Sequence, residues 1–334
     1  MRLALNRLSL LSGRSISALD RILSASSTDL LHWERDPGVR IGLGWRSKVE
    51  MVNAPHVVTL ANGKLRMYFY QASRGKSGWR GGIYSAHSNT GNKWHVEKGV
   101  RIPNPWGSTV RSPRVYADGN KWRMLYVLGV GKQEAHVMEA VSADGLNWEQ
   151  HKQIDILGLP DKAGIEDVYR VELQEGRIRL YLSLFIGTQT QIASAIQEDS
   201  SSFKIEEGWR IATQDNMELI ANNPCVFQNE QGNWSMIFRG SSQLALNSQL
   251  FLAISQDGLN WQEPKEVLSP EQNNPNEKHG VGFPFVMALG NERWKLFYSG
   301  WWGKHWKERA TLKHWTDAAE IASAHKDKNT DPWR

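Results

Sequence analysis

The chain has 334 residues, a formal net charge of +5 and a single cysteine, Cys225. This length suits one large domain or two ordinary ones, and a single cysteine excludes an internal disulfide. The basic residues are spread out rather than clustered, which does not favour nucleic-acid binding, and no run of 18 apolar residues predicts a transmembrane helix. We therefore expect neither nucleic acid nor a membrane as a partner.

Residues 1–27 are rich in Arg and Leu and come before the repeated part of the chain. Asn6 and Arg7 interrupt their apolar run, so the segment makes a poor signal peptide. A short surface helix is favoured over an organellar presequence. The lack of a convincing signal peptide and the single cysteine together predict a cytoplasmic protein. Residues 31–41 then have the pattern of an outer β-strand.

Five similar segments follow, and their starting points lie 58, 55, 56 and 60 residues apart. Each segment has a short polar or glycine-containing approach, an alternating strand, a turn rich in Gly or Asn, and a second strand rich in aromatics. Self-similarity at a fixed period of this size indicates stacked or radial units. The segments are 53–73, 111–130, 166–187, 222–242 and 282–302.

A second repeat, a turn motif, lies between these segments. The sequence Ser-x-Asp-Gly-Leu-Asn-Trp occurs at 142–148 and at 255–261, with looser copies at 27–33 and 88–94 and a worn one ending at Phe203. In such a turn Asp bonds its own backbone, Gly accepts a positive φ, and Trp begins the next strand and packs on its neighbour. Turns of the Asn-Gly kind, such as Asn62-Gly63, join the first two strands of a unit. The two repeats are in phase, so they define four-stranded units.

Five four-stranded units predict an all-β fold, a five-bladed β-propeller. The first strand of each blade lines the axis, so the starts of these strands meet at one mouth. The fifth unit shows three strands, ending near Trp315, and residues 31–41 can supply the fourth by pairing with the blade that begins near Gly282. That closure removes free sheet edges. We divide the chain into an N-terminal extension (1–27), a propeller (28–317) and a C-terminal tail (318–334).

The repeated turns and strand pairs such as 112–126 resemble the five-bladed propeller glycoside hydrolases, which include arabinanases, xylosidases and fructosidases. The resemblance covers about residues 28–317. It implies three carboxylates at the mouth: a base or nucleophile, a residue that orients the substrate, and a general acid. Glu166 falls on the acid, whereas Ala54 and Ser112 stand where the other two belong. Phe283 stands at the place of a His that binds a central ion in many arabinanases, so we expect neither a metal nor another cofactor.

Glu166 and Asp167 are the catalytic candidates. Glycoside cleavage usually needs two carboxyl groups that flank the bond, but adjacent strand residues point to opposite faces, so these two cannot simply be that pair. A buried ion pair with Arg111 or Arg114 is the alternative for Glu166, and a turn cap is the alternative for Asp167. The substrate-binding candidates are the other polar and aromatic residues near the mouth: Asn53, His56, Arg111, Arg114, Tyr169, Arg170, Asn222, Asn223, His279, Trp301 and Trp302.

The leading hypothesis is a carbohydrate-active propeller, a glycoside hydrolase or transglycosylase, that binds a sugar or oligosaccharide in the axial funnel. Glu166 would donate the proton. Arg111, Arg114 and Arg170 favour an anionic ligand, because a guanidinium matches carboxylate or phosphate as a fork. Two alternatives stay open: a non-hydrolytic propeller that binds a glycan or a protein partner, and a biosynthetic enzyme that uses the same funnel for different chemistry. The sequence indicates no oligomeric state.

Overall fold

A computed structural model describes residues 19–43, 49–75, 78–130, 134–174, 176–187, 189–212, 220–229, 231–241 and 248–302. These residues form an all-β structure with 21 strands. Within these ranges no helix is long and apolar enough to cross a membrane. The protein is a β-propeller, as the repeats predict.

The first four blades follow the chain. Blade one contains β3 (Met51–Thr59), β4 (Leu65–Gly75), β5 (Gly78–Ser88), β6 (His95–Val96) and β7 (Ile102–Pro103). Blade two contains β8 (Ser108–Asp118), β9 (Lys121–Val130), β10 (Glu134–Ser142) and β11 (Glu149–Leu157). Blade three contains β12 (Gly164–Glu172), β13 (Ile178–Ile186), β14 (Gln189–Gln197) and β15 (Ser202–Ile205). Blade four contains β16 (Ile220–Gln228), β17 (Trp234–Ser241), β18 (Gln249–Ser255) and β19 (Lys265–Leu268).

Blade five combines strands from both parts of the chain. It contains β20 (Val281–Gly290), β21 (Arg293–Trp302), β1 (Leu19–Ser27) and β2 (Glu34–Arg35). β1 pairs antiparallel with β21 along its whole length, from Leu19 opposite Trp302 to Ser27 opposite Trp294. β2 then pairs with β1. An N-terminal strand therefore closes the ring, and β21 has no open edge that another chain could pair with.

The prediction that residues 31–41 supply the fourth strand of the blade that begins near Gly282 is confirmed: within them Glu34–Arg35 form β2, the outermost strand of blade five. The prediction of the third strand was wrong. Residues 19–27, expected in a helical extension, form that strand, because β21 offers a full row of backbone groups for them to pair with. Residues near Trp315, where the third strand was expected to end, and the tail 318–334 lie outside the described residues, and the outer bounds of the propeller stay a prediction.

The Ser-x-Asp-Gly turns join each blade to its neighbour. The Tyr68 hydroxyl of blade one donates to the carbonyl of Gly145 in the turn of blade two at 2.8 Å, and Trp148 packs edge-on against the Tyr68 ring. Tyr181, Gly258 and Trp261 repeat this contact between blades three and four, again at 2.8 Å. The prediction that the turn tryptophan packs on its neighbour is confirmed, and these contacts fix the order and spacing of the blades.

Candidate functional site

A bulge in the first strand of each blade shapes the axial channel. The pairing register shifts by an extra residue in all five first strands, at the same point in four of them and one residue earlier in blade three. In four of them a non-glycine residue there has a positive φ of 50–55° and comes immediately before a proline, whose missing N–H suits a bulge. Those residues are Ala54, Ser112, Asn223 and Phe283. Blade three has Asp167 and Val168 instead, without the positive φ. It therefore departs from the repeat at the place where two carboxylates, Glu166 and Asp167, are adjacent in the sequence.

Five equivalent residues form a ring at the mouth of the channel; four come just before the bulge, and Glu166 is the extra residue of the bulge in blade three. They are Asn53, Arg111, Glu166, Asn222 and Gly282. Glu166 is half-buried, and its Oε2 accepts a hydrogen bond of 3.0 Å from Asn222 Nδ2. Arg111 donates instead to the backbone carbonyls of Ile165 and Glu166, at 3.1 and 3.2 Å. Arg111 thus holds the strand that presents Glu166, without binding its carboxylate.

A buried arginine that the sequence analysis missed lies beside this ring. Arg239, from β17, is 1 % exposed, and its guanidinium lies 5.0 Å from the centre of the Trp301 ring. Gly282 makes room for both, because a Cβ there would come within 2.9 Å of Arg239 Cδ. Burial lowers the pKa of Arg239 to about 10, while the charges of Glu166 and Asp20 oppose that change. The guanidinium therefore stays protonated at neutral pH, and the charges of two carboxyl groups act on it.

Asp20 is the second of these carboxyl groups, and β1 brings it to the mouth. It is buried, and its Oδ2 accepts a hydrogen bond of 2.8 Å from Asn53 Nδ2. Burial raises the pKa of Asp20 to about 7, against the opposing effects of Asn53, Arg239 and Arg21. Asp20 therefore exchanges its proton near neutral pH, the property expected of an acid or base at a reactive site.

Asp167 lies below the mouth and has a different environment. It is fully buried, and Arg114 Nη2 contacts its two oxygens at 3.0 and 3.2 Å. Asn223 Nδ2 and the backbone N–H of Val168 complete its hydrogen bonds, at 2.9 and 2.7 Å. These contacts join blades two, three and four, and they give Asp167, Arg114 and Asn223 a structural role.

His56 and Tyr169 occupy the channel at the same depth as Arg114. His56 Nε2 donates to the carbonyl of Val115 at 2.9 Å, and its ring packs edge-on against Phe285. Burial and the nearby Arg114 lower the pKa of His56 to about 3, so the ring is neutral. Tyr169 is buried, with its hydroxyl 3.4 Å from the thiol of Cys225. These side chains close the channel beneath the mouth.

The remaining candidates lie at other places. Arg170 stacks on Tyr116 at 4.1 Å and contacts Glu172, towards the opposite end of the propeller, so the three arginines expected to converge do not. Trp301 is buried under Arg239 and offers no exposed face for a sugar. His279 is half-buried and donates its backbone N–H to Trp301. Trp302 ends β21, and its side chain lies outside the described part of the chain.

Buried hydrogen-bond acceptors without a partner surround the mouth. In the described structure, Asn222 Oδ1, Ser112 Oγ and Glu50 Oε2 are buried and unpaired. Such atoms are rare in proteins and mark places where a polar ligand or water completes the hydrogen bonding. Within the described ranges no group of three or more His, Cys, Asp or Glu side chains could hold a metal ion. The arrangement suits a hydroxyl-rich ligand.

Neither protein-family models nor curated proteins gave a match to the sequence. Solved structures did match. A thermostable family-43 glycoside hydrolase is 17% identical, with a TM-score of 0.56 over 75% of this chain and 88% of that one. An endo-arabinase from Bacteroides thetaiotaomicron VPI-5482 is 13% identical, with a TM-score of 0.56 over 75% and 93%.

A family 117 glycoside hydrolase from the marine bacterium Zobellia galactanivorans is 16% identical, with a TM-score of 0.53 over 88% of this chain and 92% of that one. At these identities the similarity is one of fold. The protein is therefore a β-propeller with the architecture of glycoside hydrolases of this kind.

Proposed function

We propose that the protein binds a carbohydrate at the propeller mouth and acts on it as a glycoside hydrolase, with Glu166 as general acid and Asp20 as the second carboxyl group. One observation carries the proposal: the charges of two carboxyl groups from different blades, Glu166 and Asp20, both act on the same buried guanidinium, that of Arg239. Hydrolysis of a glycosidic bond by the usual route needs such a pair.

The proposed roles follow from exposure and from hydrogen bonding. Glu166 is the more exposed of the two carboxyl groups, so it is the one placed to touch a bound sugar. Asn222 orients it through one oxygen and leaves the other for the ligand. Asp20 holds a proton up to about pH 7 and can assist as acid or base. Arg239 balances their charge before and after proton transfer.

The positions of the arginines favour a neutral sugar over an anionic one. Arg114 is neutralised by Asp167, Arg170 lies away from the mouth, and Arg239 already faces two carboxyl groups. Arg111 is engaged with backbone carbonyls. Among these four side chains only Arg111 has a positive charge that no carboxylate faces in the described structure, and backbone carbonyls hold it in place, so an acidic sugar would gain little from the arginines. The comparison of neutral and acidic oligosaccharides below tests this.

A second candidate, a non-hydrolytic glycan-binding protein, is favoured by a separate observation. Ala54 and Ser112, which the sequence resemblance places at the positions of two carboxylates, are buried within the bulges. Neither side chain has a carboxyl group, so neither can act as a general base or as a carboxylate nucleophile. If Asp20 does not replace them, the mouth binds a sugar and leaves it intact.

The Glu166→Gln variant distinguishes a glycoside hydrolase from a glycan-binding protein, because it preserves shape and hydrogen bonding and removes the transferable proton. Neutral arabino-, xylo- and fructo-oligosaccharides would be compared with uronic-acid oligosaccharides for binding and turnover. We expect turnover to fall by about 10²–10⁴-fold, with binding nearly unchanged. Glu172→Gln is the matched control, since Glu172 is an exposed residue on the same strand.

Binding without turnover by the wild type would support the glycan-binding function instead. The carbohydrate proposal itself fails if no sugar of either class binds. The role of Glu166 as general acid fails if Glu166→Gln and Glu172→Gln lower turnover equally.

A further inference from the structure

A charged contact recurs in the second strands of the described blades, and blade four lacks it. Arg66, Arg123, Arg179 and Lys295 each pair with a carboxylate of their own blade; the partners are Glu97 at 3.1 Å, Glu139 at 2.8 Å, Glu206 at 2.8 Å and Asp36 at 2.7 Å. In blade four the corresponding residue is Ser235, which pairs with Ile254 of β18 as Arg179 pairs with Ile196 of β14.

The partners of the basic residue are also replaced in blade four. Glu206 follows Phe203 by three residues, and at the same interval after Trp261 the chain has Pro264. The Ser194 hydroxyl, which bonds Glu206 at 2.7 Å in blade three, corresponds to the apolar side chain of Leu252. Cation, anion and hydroxyl are thus lost together, as expected when a set of mutually satisfied groups is removed.

In two of the other junctions the basic residue also contacts the turn of the next blade. Arg66 donates to the carbonyl of Asp144 at 2.9 Å, and Arg179 donates to that of Asp257 at 3.1 Å. Between blades four and five the equivalent carbonyl belongs to Asp29, in the turn 27–33. Ser235 is too short to reach that carbonyl as a guanidinium does. The side chain at this position of blade four therefore supplies no cation.

A cavity of about 370 Å³ lies at this junction. Its walls include Ser235 and Leu252 of blade four, Asp29 of the turn, and three charged residues at the rim: Glu263, Lys265 and Glu292. Ser235 is fully buried, and its Oγ has no hydrogen-bond partner in the described structure. The volume is within the range of small-molecule sites, and the cavity opens at the end of the propeller opposite the mouth.

The charges around this cavity favour a cation. Asp29, Glu263 and Glu292 contribute three carboxylates against the single ammonium of Lys265. Hydrogen bonds from His32 and from backbone N–H groups hold the pKa of Asp29 below its usual range, so Asp29 is ionised. A partner with a delocalised, weakly hydrated positive charge and several donors would satisfy both the carbonyl of Asp29 and the buried hydroxyl of Ser235.

We propose that this cavity is a second binding site, for a guanidinium group on a short alkyl chain, which takes the place that Arg66 and Arg179 have in their own blades. The guanidinium donates to the carbonyl of Asp29 and to Ser235 Oγ, and its charge faces Glu263. Such a group is found on small metabolites and on exposed arginine side chains of other proteins. The site is independent of the propeller mouth and of any activity there.

Calorimetric titration with n-butylguanidinium tests the proposal, with n-butylurea as the uncharged ligand of the same shape. We expect n-butylguanidinium to bind at least about tenfold more tightly, because charged hydrogen bonds are the stronger ones. The tripeptide acetyl-Gly-Arg-Gly-amide distinguishes the two sources: tighter binding of the peptide indicates a protein arginine, and tighter binding of the small cation indicates a metabolite. Equal binding of the guanidinium and the urea, or binding of neither, overturns the proposal.

Two kinds of variant locate the binding. Ser235→Arg restores the side chain of the other blades and fills the cavity, so n-butylguanidinium binding should be lost. Glu263→Lys reverses a rim charge and should weaken binding about tenfold or more, whereas Glu266→Lys makes the same change on an exposed residue outside the cavity and should leave it within about twofold. Equal weakening by the two Lys variants would refute the site even if Ser235→Arg does not fold.

Discussion

Glu166 and Asp167 are neighbours in sequence and lie in opposite environments. Glu166 faces the mouth, is half-buried and has one amide partner, Asn222. Asp167 faces the interior, is fully buried and is held by Arg114, Asn223 and a backbone N–H. Alternation along a strand sends one carboxylate to the solvent side and the other between the blades. One position is thus available for chemistry, and the other for holding the blades together.

The largest effect expected from this comparison is on stability, at Asp167. Asp167→Asn would leave the Arg114 charge buried without its partner, and breaking a buried pair in this way costs about 3–5 kcal/mol. Urea unfolding would measure the loss. Glu166→Gln should lower the free energy of unfolding by less than Asp167→Asn does, since Glu166 is half-buried and the variant keeps the Asn222 contact. Similar losses in the two variants would refute the division between a structural and a solvent-facing carboxylate.

The next effect concerns Asp20 and depends on pH. Burial raises its pKa from 3.8 to about 7, so the folded chain holds the proton more tightly than the unfolded chain. The resulting penalty is absent below about pH 4 and complete above about pH 7. Asp20→Asn has no such penalty, so its stability relative to the wild type should rise across this window, by up to about 4 kcal/mol. Urea unfolding at several pH values would check this, and a constant difference would contradict it.

The smallest expected effect is that of substituting Arg170, which the sequence analysis predicted at the mouth together with Arg111. Arg170 stacks on Tyr116 and contacts an exposed glutamate, so Arg170→Gln should cost about 1 kcal/mol or less. Because Arg170 lies away from the mouth, sugar binding should change by less than about twofold. Arg111→Gln removes donors to the strand that carries Glu166 and should weaken binding more. Equal effects on affinity would place both arginines at the ligand.

The fold could be predicted because its signals are local and repeated. The turn sequences at 142–148 and 255–261 specify the same hydrogen bonds, with Asp144 and Asp257 each accepting two backbone N–H bonds of 2.8 Å. The third strand of blade five was missed although its position follows the same rule. Residues 19–27 come directly before the turn 27–33, as 78–88 come before the turn 88–94. Their Arg- and Leu-rich setting suggested a helix instead.

The candidate site was predicted only in part, because its contacts join distant segments. The opposite facings of Glu166 and Asp167 follow from strand alternation, but their partners Asn222 and Asn223 depend on which blade lies alongside. The sequence contains a feature that points to Arg239, a charged residue within an apolar strand. Arg239 follows Ile237 and Phe238 in this strand, at the register where blade two has Val127. A charge in such a run marks a buried ionic or functional group.

The closure of blade five has a consequence for how the protein is made. During synthesis the first four blades can form while β21 is still inside the ribosome, and β1, made first, must wait for it. Throughout that interval β1 has a bare edge, a template for wrong pairing with other chains. Asp20 is brought to the mouth, where its charge acts on Arg239, only once β1 has docked on β21. A nascent chain therefore has blades before it has a complete mouth, and no truncated product can carry the finished site.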